Sequence, residues 1–231
     1  MRKGQLFLLV ACITAFALVP HAARAQTDQE FGIWGGLFVT GQVRAKAPSL
    51  TSWFDAQGRR EANSSTVILR PGIGYQIRPW ISVWLGYAWV SVFTDATGTR
   101  ANENRIWEQL TLDYRNIPGL LLQSRTRFEQ RFAYGDVGHR YRQAARLNYQ
   151  PKSSFPLGLV LWDEVFVGMG GSVRWTDGFD QNRLFVGPAV FAFDGMFRTE
   201  VGYQFVYLSR EVNRSVHLLV INFFVNLRGK R

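Results

Sequence analysis

Charged side chains alternate with uncharged ones over residues 123–131, which read Gln-Ser-Arg-Thr-Arg-Phe-Glu-Gln-Arg. With the period of two that a β-strand imposes, one face carries Arg125, Arg127, Glu129 and Arg131, and Phe128 lies on the other. Arginine holds carboxylates in a planar fork of N–H donors and stays charged when it is partly dehydrated. The chemistry that this face offers is therefore the binding of anions or the formation of arginine–carboxylate pairs.

The same alternation extends to other segments and assigns eleven arginines and four acids to one set of faces, with no lysine among them. The set comprises Arg70, Arg78, Asp113, Arg115, Arg125, Arg127, Glu129, Arg131, Arg140, Arg142, Arg146, Glu164, Arg183, Arg198 and Glu200. If these faces line the lumen of a narrow barrel, the side chains can fill it as a network of ion pairs. The surplus of arginine can instead create a lumen or a mouth that attracts anions, because a cleft of one sign concentrates counter-ions. The sequence favours the filled lumen, with a structural or minor transport or binding role, and a narrow anion-preferring pore is the alternative.

Candidates for catalysis are few. Ser215 and His217 lie on one face of a predicted strand, about 7 Å apart at the usual rise of about 3.3 Å per residue. That separation is too long for a direct Ser–His hydrogen bond, so the pair is a weak candidate for a lipid-modifying hydrolase. The alternative is that His217 is a polar residue at a membrane interface. No spacing typical of a metal site, a nucleotide loop or a nucleic-acid motif occurs, and we expect no metal, cofactor or nucleic-acid partner.

The first 25 residues have the organisation of a cleaved signal peptide. Arg2 and Lys3 precede an apolar run over residues 6–19, and Ala23-Arg24-Ala25 forms an A-x-A cleavage site. A lipoprotein signal cleaved before Cys12 is the alternative, but it leaves an apolar region of only about six residues. The sequence therefore predicts a signal peptide over 1–25 and a single domain over 26–231. Because Cys12 is the only cysteine, the mature protein would contain neither a disulfide nor a thiol nucleophile.

Alternating segments of about ten to fourteen residues, the length of a tilted membrane strand, follow at close spacing. They are Phe31–Gln42, Ser65–Arg78, Ile81–Phe93, Arg105–Asn116, Leu120–Phe132, Arg140–Gln150, Leu157–Met169, Arg183–Phe193, Phe197–Leu208 and Val216–Leu227. After the signal, no apolar run reaches the roughly 20 residues of a membrane helix, which leaves a closed barrel as the only structure that could span a bilayer. Aromatic side chains near strand ends match the girdles of such barrels.

The pattern predicts an all-β, antiparallel outer-membrane barrel of about ten strands with a polar, arginine-rich lumen. Leu50–Arg60 also alternates; it is interpreted as an excursion outside the membrane, or else a further strand brings the total to twelve, since single-chain bacterial barrels have even counts. Short turns are expected at one end, and the connectors at the other end, such as 95–104 and 133–139, are expected to be longer. A soluble β-sandwich with an aromatic core is the alternative fold.

Several runs resemble the bacterial family of domain-of-unknown-function 2490. They are Arg105-Ile-Trp-Glu-Gln-Leu, Arg125-Thr-Arg-Phe-Glu-Gln-Arg-Phe132, Arg140-Tyr-Arg, Asp163-Glu-Val-Phe166, Phe179-Asp-Gln-Asn-Arg183 and Glu200-Val-Gly-Tyr203. The resemblance covers almost all of the mature chain. It implies an outer-membrane β-barrel without an established activity, so it assigns no catalytic role. The expected partners are outer-membrane lipid and lipopolysaccharide, together with the barrel-assembly machinery, and the expected state is a monomer.

Overall fold

A computed structural model describes residues 27–44, 47–151, 156–170 and 175–227. The predicted signal peptide and Cys12 lie outside these residues. Eleven β-strands make up the described chain: β1 Thr27–Arg44, β2 Ala47–Glu61, β3 Ser64–Arg78, β4 Ile81–Thr94, β5 Thr99–Ile117, β6 Leu120–Ala133, β7 Asp136–Tyr149, β8 Leu157–Met169, β9 Asp177–Ala192, β10 Phe197–Leu208 and β11 Asn213–Asn226. Among these residues, no helix has the length and apolar character needed to cross a membrane.

The strands form one closed barrel, as the alternation predicts. Each strand pairs antiparallel with the next one along the chain, whereas β1 and β11 close the barrel as a parallel pair that runs from Thr27 beside Asn213 to Thr40 beside Asn226. An odd number of strands requires this, because strands that alternate in direction bring the first and last together pointing the same way. Closure leaves no strand with unpaired backbone groups at an edge.

The barrel has one strand more than the ten expected, because Leu50–Arg60 lies within β2 and is not an excursion. This strand pairs with β1 on one side, where Asp55 faces Phe38, and with β3 on the other, where Asp55 faces Arg70. The even-number rule argued against an eleventh strand. The parallel pairing of β1 with β11 resolves the conflict, since it closes an odd barrel without a twelfth strand.

The connections are equally short at the two ends of the barrel, so the expected difference in length is wrong. We call the end with the β3–β4 and β5–β6 turns the lower rim and the end with the β6–β7 turn the upper rim. Two to seven residues join consecutive strands at either rim. The β6–β7 turn has only Tyr134 and Gly135, both with positive φ, as tight hairpins require. The polar stretches 99–104 and 136–139, expected to be connectors, continue β5 and β7 instead.

The outer surface of the barrel is apolar. Large hydrophobic side chains point outward on most strands, and those more than two-fifths exposed include Ile33, Ile73, Leu85, Leu159, Val186, Val201, Leu219 and Phe223. A soluble sheet would bury such faces against a second layer. The described residues form one closed sheet without a second layer, so the sandwich alternative does not apply.

The lumen has an apolar side and a charged side. Inward residues of β8 to β11 and β1 form a small buried apolar cluster that includes Val160, Phe185, Leu218 and Trp34. Inward residues of β6 to β8 include the buried charged side chains Arg127, Glu129, Arg140, Arg142 and Glu164. The long arginine side chains of the charged wall reach into the lumen, where their stems and guanidinium planes cover aromatic rings.

Candidate functional site: a charge network and a cavity in the lumen

The Glu129 carboxylate is the centre of a buried network of ion pairs. Glu129 is 2% exposed, and its oxygens lie 2.6 Å from Arg140 and 2.5 Å from Arg142. Arg105 and Arg127 approach within 3.8 and 3.9 Å. These side chains meet because neighbouring strands bring them level, with Glu129 on β6 directly opposite Arg140 on β7. One carboxylate therefore neutralises the positive charge of four guanidinium groups only in part. The guanidinium groups need further partners.

Three more carboxylates supply partners for Arg105, Arg140 and Arg142. Glu164 on β8 accepts hydrogen bonds from Arg125 and Arg142, at 2.7 and 3.0 Å to the same oxygen. Asp180 and Glu103 extend the network upward: Asp180 pairs with Arg140 and Arg210, and Glu103 pairs with Arg105 and Arg131. We call this set the charge network. Its members among the described residues are Glu103, Arg105, Arg125, Arg127, Glu129, Arg131, Arg140, Arg142, Glu164, Asp180 and Arg210.

A tryptophan supports the network from the barrel wall. The Arg127 guanidinium carbon lies 4.4 Å from the centre of the Trp107 ring, and Arg127 donates to the Gln109 amide oxygen at 2.9 Å. Trp107 lies flat because β3 and β4 present Gly72 and Gly86 beneath it. A Cβ atom at these positions would stand 2.7 and 2.2 Å from the ring. The two glycines thus create the space for the ring on which the guanidinium rests.

A second tryptophan lies in the lumen at the upper rim. Trp175, from the β8–β9 connection, packs against the inner face of β7, where a Cβ at Gly138 would stand 2.3 Å from its ring. The Arg131 guanidinium lies 4.5 Å from the centre of that ring. Together with Glu103, Asp180 and the arginines that they hold, Trp175 fills the upper part of the lumen.

Below the network lies a cavity of about 320 Å³, which we call the lower cavity. Its lining includes Gly195 and Met196 of the β9–β10 turn and Asn226 at the end of β11, so it extends to the lower rim. Six arginines and a single carboxylate line it, together with several aromatic rings. The charged lining residues are Arg70, Arg125, Arg142, Glu164, Arg146, Arg183 and Arg198.

The lining arginines differ in how well they are compensated. Arg70 pairs with Asp55 through two hydrogen bonds of 2.7 and 3.1 Å. Arg146 and Arg198 share one oxygen of Glu200, whose other oxygen has no hydrogen-bond partner. The guanidinium carbon of Arg198 also lies 4.1 Å from the centre of the Phe224 ring. These pairs leave the cavity with an excess of positive charge.

Most of the charged residues singled out in the sequence lie in the lumen, but three residues near strand ends do not join the buried ion pairs. Asp113 and Arg115 pair with each other near the lower rim at 2.9 Å, and Arg115 is 62% exposed. Arg78 is also exposed, at the lower end of β3. Strand ends extend beyond the ring of packed side chains. A residue there can therefore be exposed even when the alternation along its strand assigns it to the inward face.

Several charged lumen residues were absent from the sequence-based set, and four of them contribute to the ion pairs described above. They are Asp55, Glu103, Arg105 and Asp180. Asp55 belongs to β2, which was not assigned as a strand. Glu103 falls in the expected connector 95–104, and Asp180 precedes the predicted strand Arg183–Phe193. The period-two alternation along β5 is a signal that identifies Glu103 and Arg105, because counting back from Asp113 in steps of two residues reaches both.

Ser215 and His217 lie on the outer face of β11 and do not form a hydrogen-bonded pair among the described contacts. The two ring nitrogens of His217 have other partners, since Nδ1 lies 2.6 Å from the Tyr203 hydroxyl and Nε2 lies 2.6 Å from the Gln29 amide oxygen. The Phe31 ring stacks on the imidazole at 5.0 Å. This environment is that of a polar residue in an aromatic girdle. Within the described residues, no three His, Cys, Asp or Glu side chains are placed to hold a metal ion.

Comparison with known proteins identifies a family. The model of the family described as "Protein of unknown function (DUF2490)" matches residues 31–217. The chain belongs to this family. It is also 32% identical over 240 residues to an uncharacterized protein of Methylorubrum extorquens, with 97% of this chain and 99% of the relative covered.

Among solved structures, the NanC porin is similar at a TM-score of 0.45 and 11% identity, covering 79% of this chain and 90% of the porin. A likeness at this level carries no information about activity. The lumen of this DUF2490 chain is therefore the part of the structure that bears on its function.

Proposed function

We propose that this DUF2490 protein is an outer-membrane β-barrel whose lumen is closed by the charge network, with a structural or small-molecule binding role and not that of an open channel. The burial of Glu129 among Arg105, Arg127, Arg140 and Arg142 is the observation that carries the proposal. Arginine and carboxylate side chains that are this closely paired fill the space that water and ions would need.

The outer surface supports a membrane location. Apolar side chains cover the outward faces of a sheet that has no second layer, which is the arrangement of a barrel solvated by lipid. Export through the predicted signal peptide over 1–25 would deliver the chain to the bacterial envelope. There its partners would be outer-membrane lipid, lipopolysaccharide and the barrel-assembly machinery. We expect the barrel to act as a monomer.

Conductance of the refolded protein in planar bilayers tests the closed lumen. The charge network predicts no sustained ionic current across the bilayer, whereas an open porin inserted under the same conditions conducts and serves as the positive control. A steady, reproducible conductance step with every insertion would overturn the proposal.

The second candidate function is a narrow pore that prefers anions. The lining of the lower cavity favours it, since six arginines accompany a single carboxylate there, and such a region attracts counter-ions. The two candidates differ in one measurement. Under a salt gradient, a pore of this kind gives a current whose reversal potential indicates anion selectivity, and a closed barrel gives no current to reverse.

A further inference from the structure

We infer that the lower cavity is a binding site for a small organic acid, with Arg183 as the residue that holds its carboxylate. This inference deepens the proposed function, because it assigns a ligand class to the space below the charge network. It depends on the lower cavity alone and holds whether or not the network above it passes ions.

Arg183 is the one lining arginine without a carboxylate within 4.0 Å among the described residues. Its guanidinium carbon lies 5.0 Å from the centre of the Trp34 ring and 4.5 Å from that of Phe166. Its Nε and Nη2 atoms each donate to the Gln181 amide oxygen at 3.3 Å. The rings occupy the faces of the guanidinium and Gln181 occupies one edge, so the remaining edge is the part that can receive a ligand.

That edge suits a carboxylate. Two parallel N–H donors in one plane match the two oxygens of a carboxylate, and such bidentate pairs are stronger than neutral hydrogen bonds. A half-buried cation without a direct carboxylate partner is costly to the fold, and Glu164 on the neighbouring strand, farther than 4.0 Å away, compensates Arg183 only in part. The presence of Arg183 beside aromatic rings is explained if an anion arrives from solution and supplies the missing charge.

Two amide side chains of the lining show unused hydrogen-bonding capacity. Gln204 is 1% exposed and its Nε2 donor has no partner, and Asn222 is 8% exposed and its Oδ1 acceptor has none. Buried polar atoms are nearly always hydrogen-bonded in folded proteins. Both side chains line the lower cavity, and a ligand that carries a carboxylate and a hydroxyl group offers an acceptor and a donor to them together.

The size and the apolar part of the lining complete the description of the ligand. A volume of about 320 Å³ lies at the lower end of the range of small-molecule sites, about 300–1,000 Å³. Trp34, Trp162 and Phe191 contribute ring surface to the walls, which favours an acid with a ring or another apolar body over a bare inorganic anion. The ligand enters from the lower rim, since the network and Trp175 fill the lumen above.

Mandelate is a suitable probe because it combines a carboxylate, a hydroxyl group and a phenyl ring. Calorimetric titration of the folded barrel in detergent is expected to show saturable binding of mandelate, at least tenfold weaker binding of its neutral methyl ester, and little binding of acetate. Binding of the ester as strong as that of the acid, or no saturable binding of mandelate, would overturn the inference.

Substitutions locate the site. Arg183→Gln should weaken mandelate binding by about tenfold to a hundredfold, the range for loss of a hydrogen bond to a charged group. Arg183→Lys should also weaken it, because lysine keeps the charge but lacks the planar fork. Arg60→Gln is the matched control, since Arg60 is an exposed arginine at the upper rim that pairs with Asp95, and its loss should leave binding unchanged.

Thermal unfolding separates a ligand-holding role from a structural one. Arg183→Gln removes a cation that has no carboxylate within 4.0 Å among the described residues, so its unfolding midpoint without ligand should equal or exceed that of the unsubstituted protein. Mandelate should raise the midpoint of the unsubstituted protein and not that of the variant. A lower midpoint for Arg183→Gln together with unchanged mandelate binding would show that Arg183 serves the fold alone. Neither calorimetry nor thermal unfolding measures ionic current. A barrel that conducts would therefore contradict the proposed function and leave the test of mandelate binding undecided.

Discussion

At the scale of single residues, the lumen depends on a few carboxylates that each serve several arginines. Glu129 contacts four guanidinium groups, and Glu164 and Glu200 contact two each. Loss of a shared carboxylate therefore removes an ion-pair contact from more than one buried cation at once. Loss of a single arginine leaves the remaining pairs intact, so the two kinds of substitution have unequal effects.

Glu129→Gln tests this inequality. Breaking a buried ion pair from one side costs about 3 to 5 kcal/mol, so the variant should unfold at a clearly lower urea concentration than the unsubstituted barrel. Adding Arg127→Gln should recover part of the loss, because Glu129 is the only carboxylate within 4.0 Å of Arg127 among the described residues. Glu211→Gln, at an exposed position in the β10–β11 connection, is the control that should not change the midpoint. Equal midpoints for Glu129→Gln and Glu211→Gln would mean that water already solvates the network.

The glycines beneath Trp107 give a second prediction at this scale. In Gly86→Ala the new methyl group would meet the indole at 2.2 Å and the Pro71 carbonyl oxygen at 2.5 Å. Overpacking of this kind typically costs about 1 to 3 kcal/mol, and the displaced ring would no longer support Arg127. Gly58→Ala is the matched control, since no atom lies within 4 Å of a Cβ there. Thermal unfolding should place the midpoint of Gly86→Ala below that of Gly58→Ala, and the reverse order would contradict the role given to the two glycines.

At the scale of strands, alternation in the sequence predicts which side chains face inward better than it predicts where strands end. The inward set found from parity contains Glu129, Arg140, Arg142 and Glu164, which the structure brings together. Alternation is a local property that each strand carries independently of its neighbours. Parity was therefore enough to identify these four residues.

The boundaries and the strand count needed information that a single sequence lacks. The strands run past the apolar belt, so their polar ends, such as 99–104, have the composition of loops. The assignment of Leu50–Arg60 to β2 depends on backbone pairing with β1 and β3, which is a contact between distant segments. Which carboxylate meets which arginine depends on register between strands, and this is why Asp55 and Asp180 could not be placed from the sequence.

The lipid-facing side of β11 gives a prediction at the strand scale. Leu219 is 51% exposed on the outer face, and arginine in the middle of a lipid-facing strand costs about 2 to 4 kcal/mol. Leu219→Arg should therefore impair folding into detergent or lipid, read as a smaller fraction of the compact form on gels of unboiled samples. Gln123→Arg introduces the same side chain in the lumen beside Asp113, to which Gln123 donates at 2.8 Å, and should be tolerated. Equal folding yields for both variants would show that the outer face of β11 does not contact lipid.

At the scale of the whole molecule, a barrel that spans a membrane exposes its two rims in opposite compartments. The β4–β5 turn lies at the upper rim and the β5–β6 turn at the lower rim. With the only native cysteine inside the predicted signal peptide, single cysteines in these turns can report on each side separately.

Ala96→Cys and Pro118→Cys are suitable positions, since both residues are exposed. We expect a membrane-impermeant maleimide to label Ala96→Cys in intact cells and to label Pro118→Cys only after the outer membrane is opened. Labelling of Pro118→Cys alone would reverse the orientation. Labelling of both in intact cells, or recovery of the protein in the soluble periplasm, would contradict a membrane-spanning barrel.

The parallel pairing of β1 with β11 also limits how this chain could be circularly permuted. In a barrel with an even number of strands, the first strand begins beside the point where the last one ends, and a short peptide can join them in a circular permutant. Here β1 begins at the upper rim and β11 ends at the lower rim, so a joining peptide must cover the length of β11. Its 14 residues correspond to roughly 46 Å at about 3.3 Å per residue. Such a linker would have to pass through the filled lumen or through lipid with its backbone unpaired, so new termini opened at a hairpin turn would not yield a foldable chain.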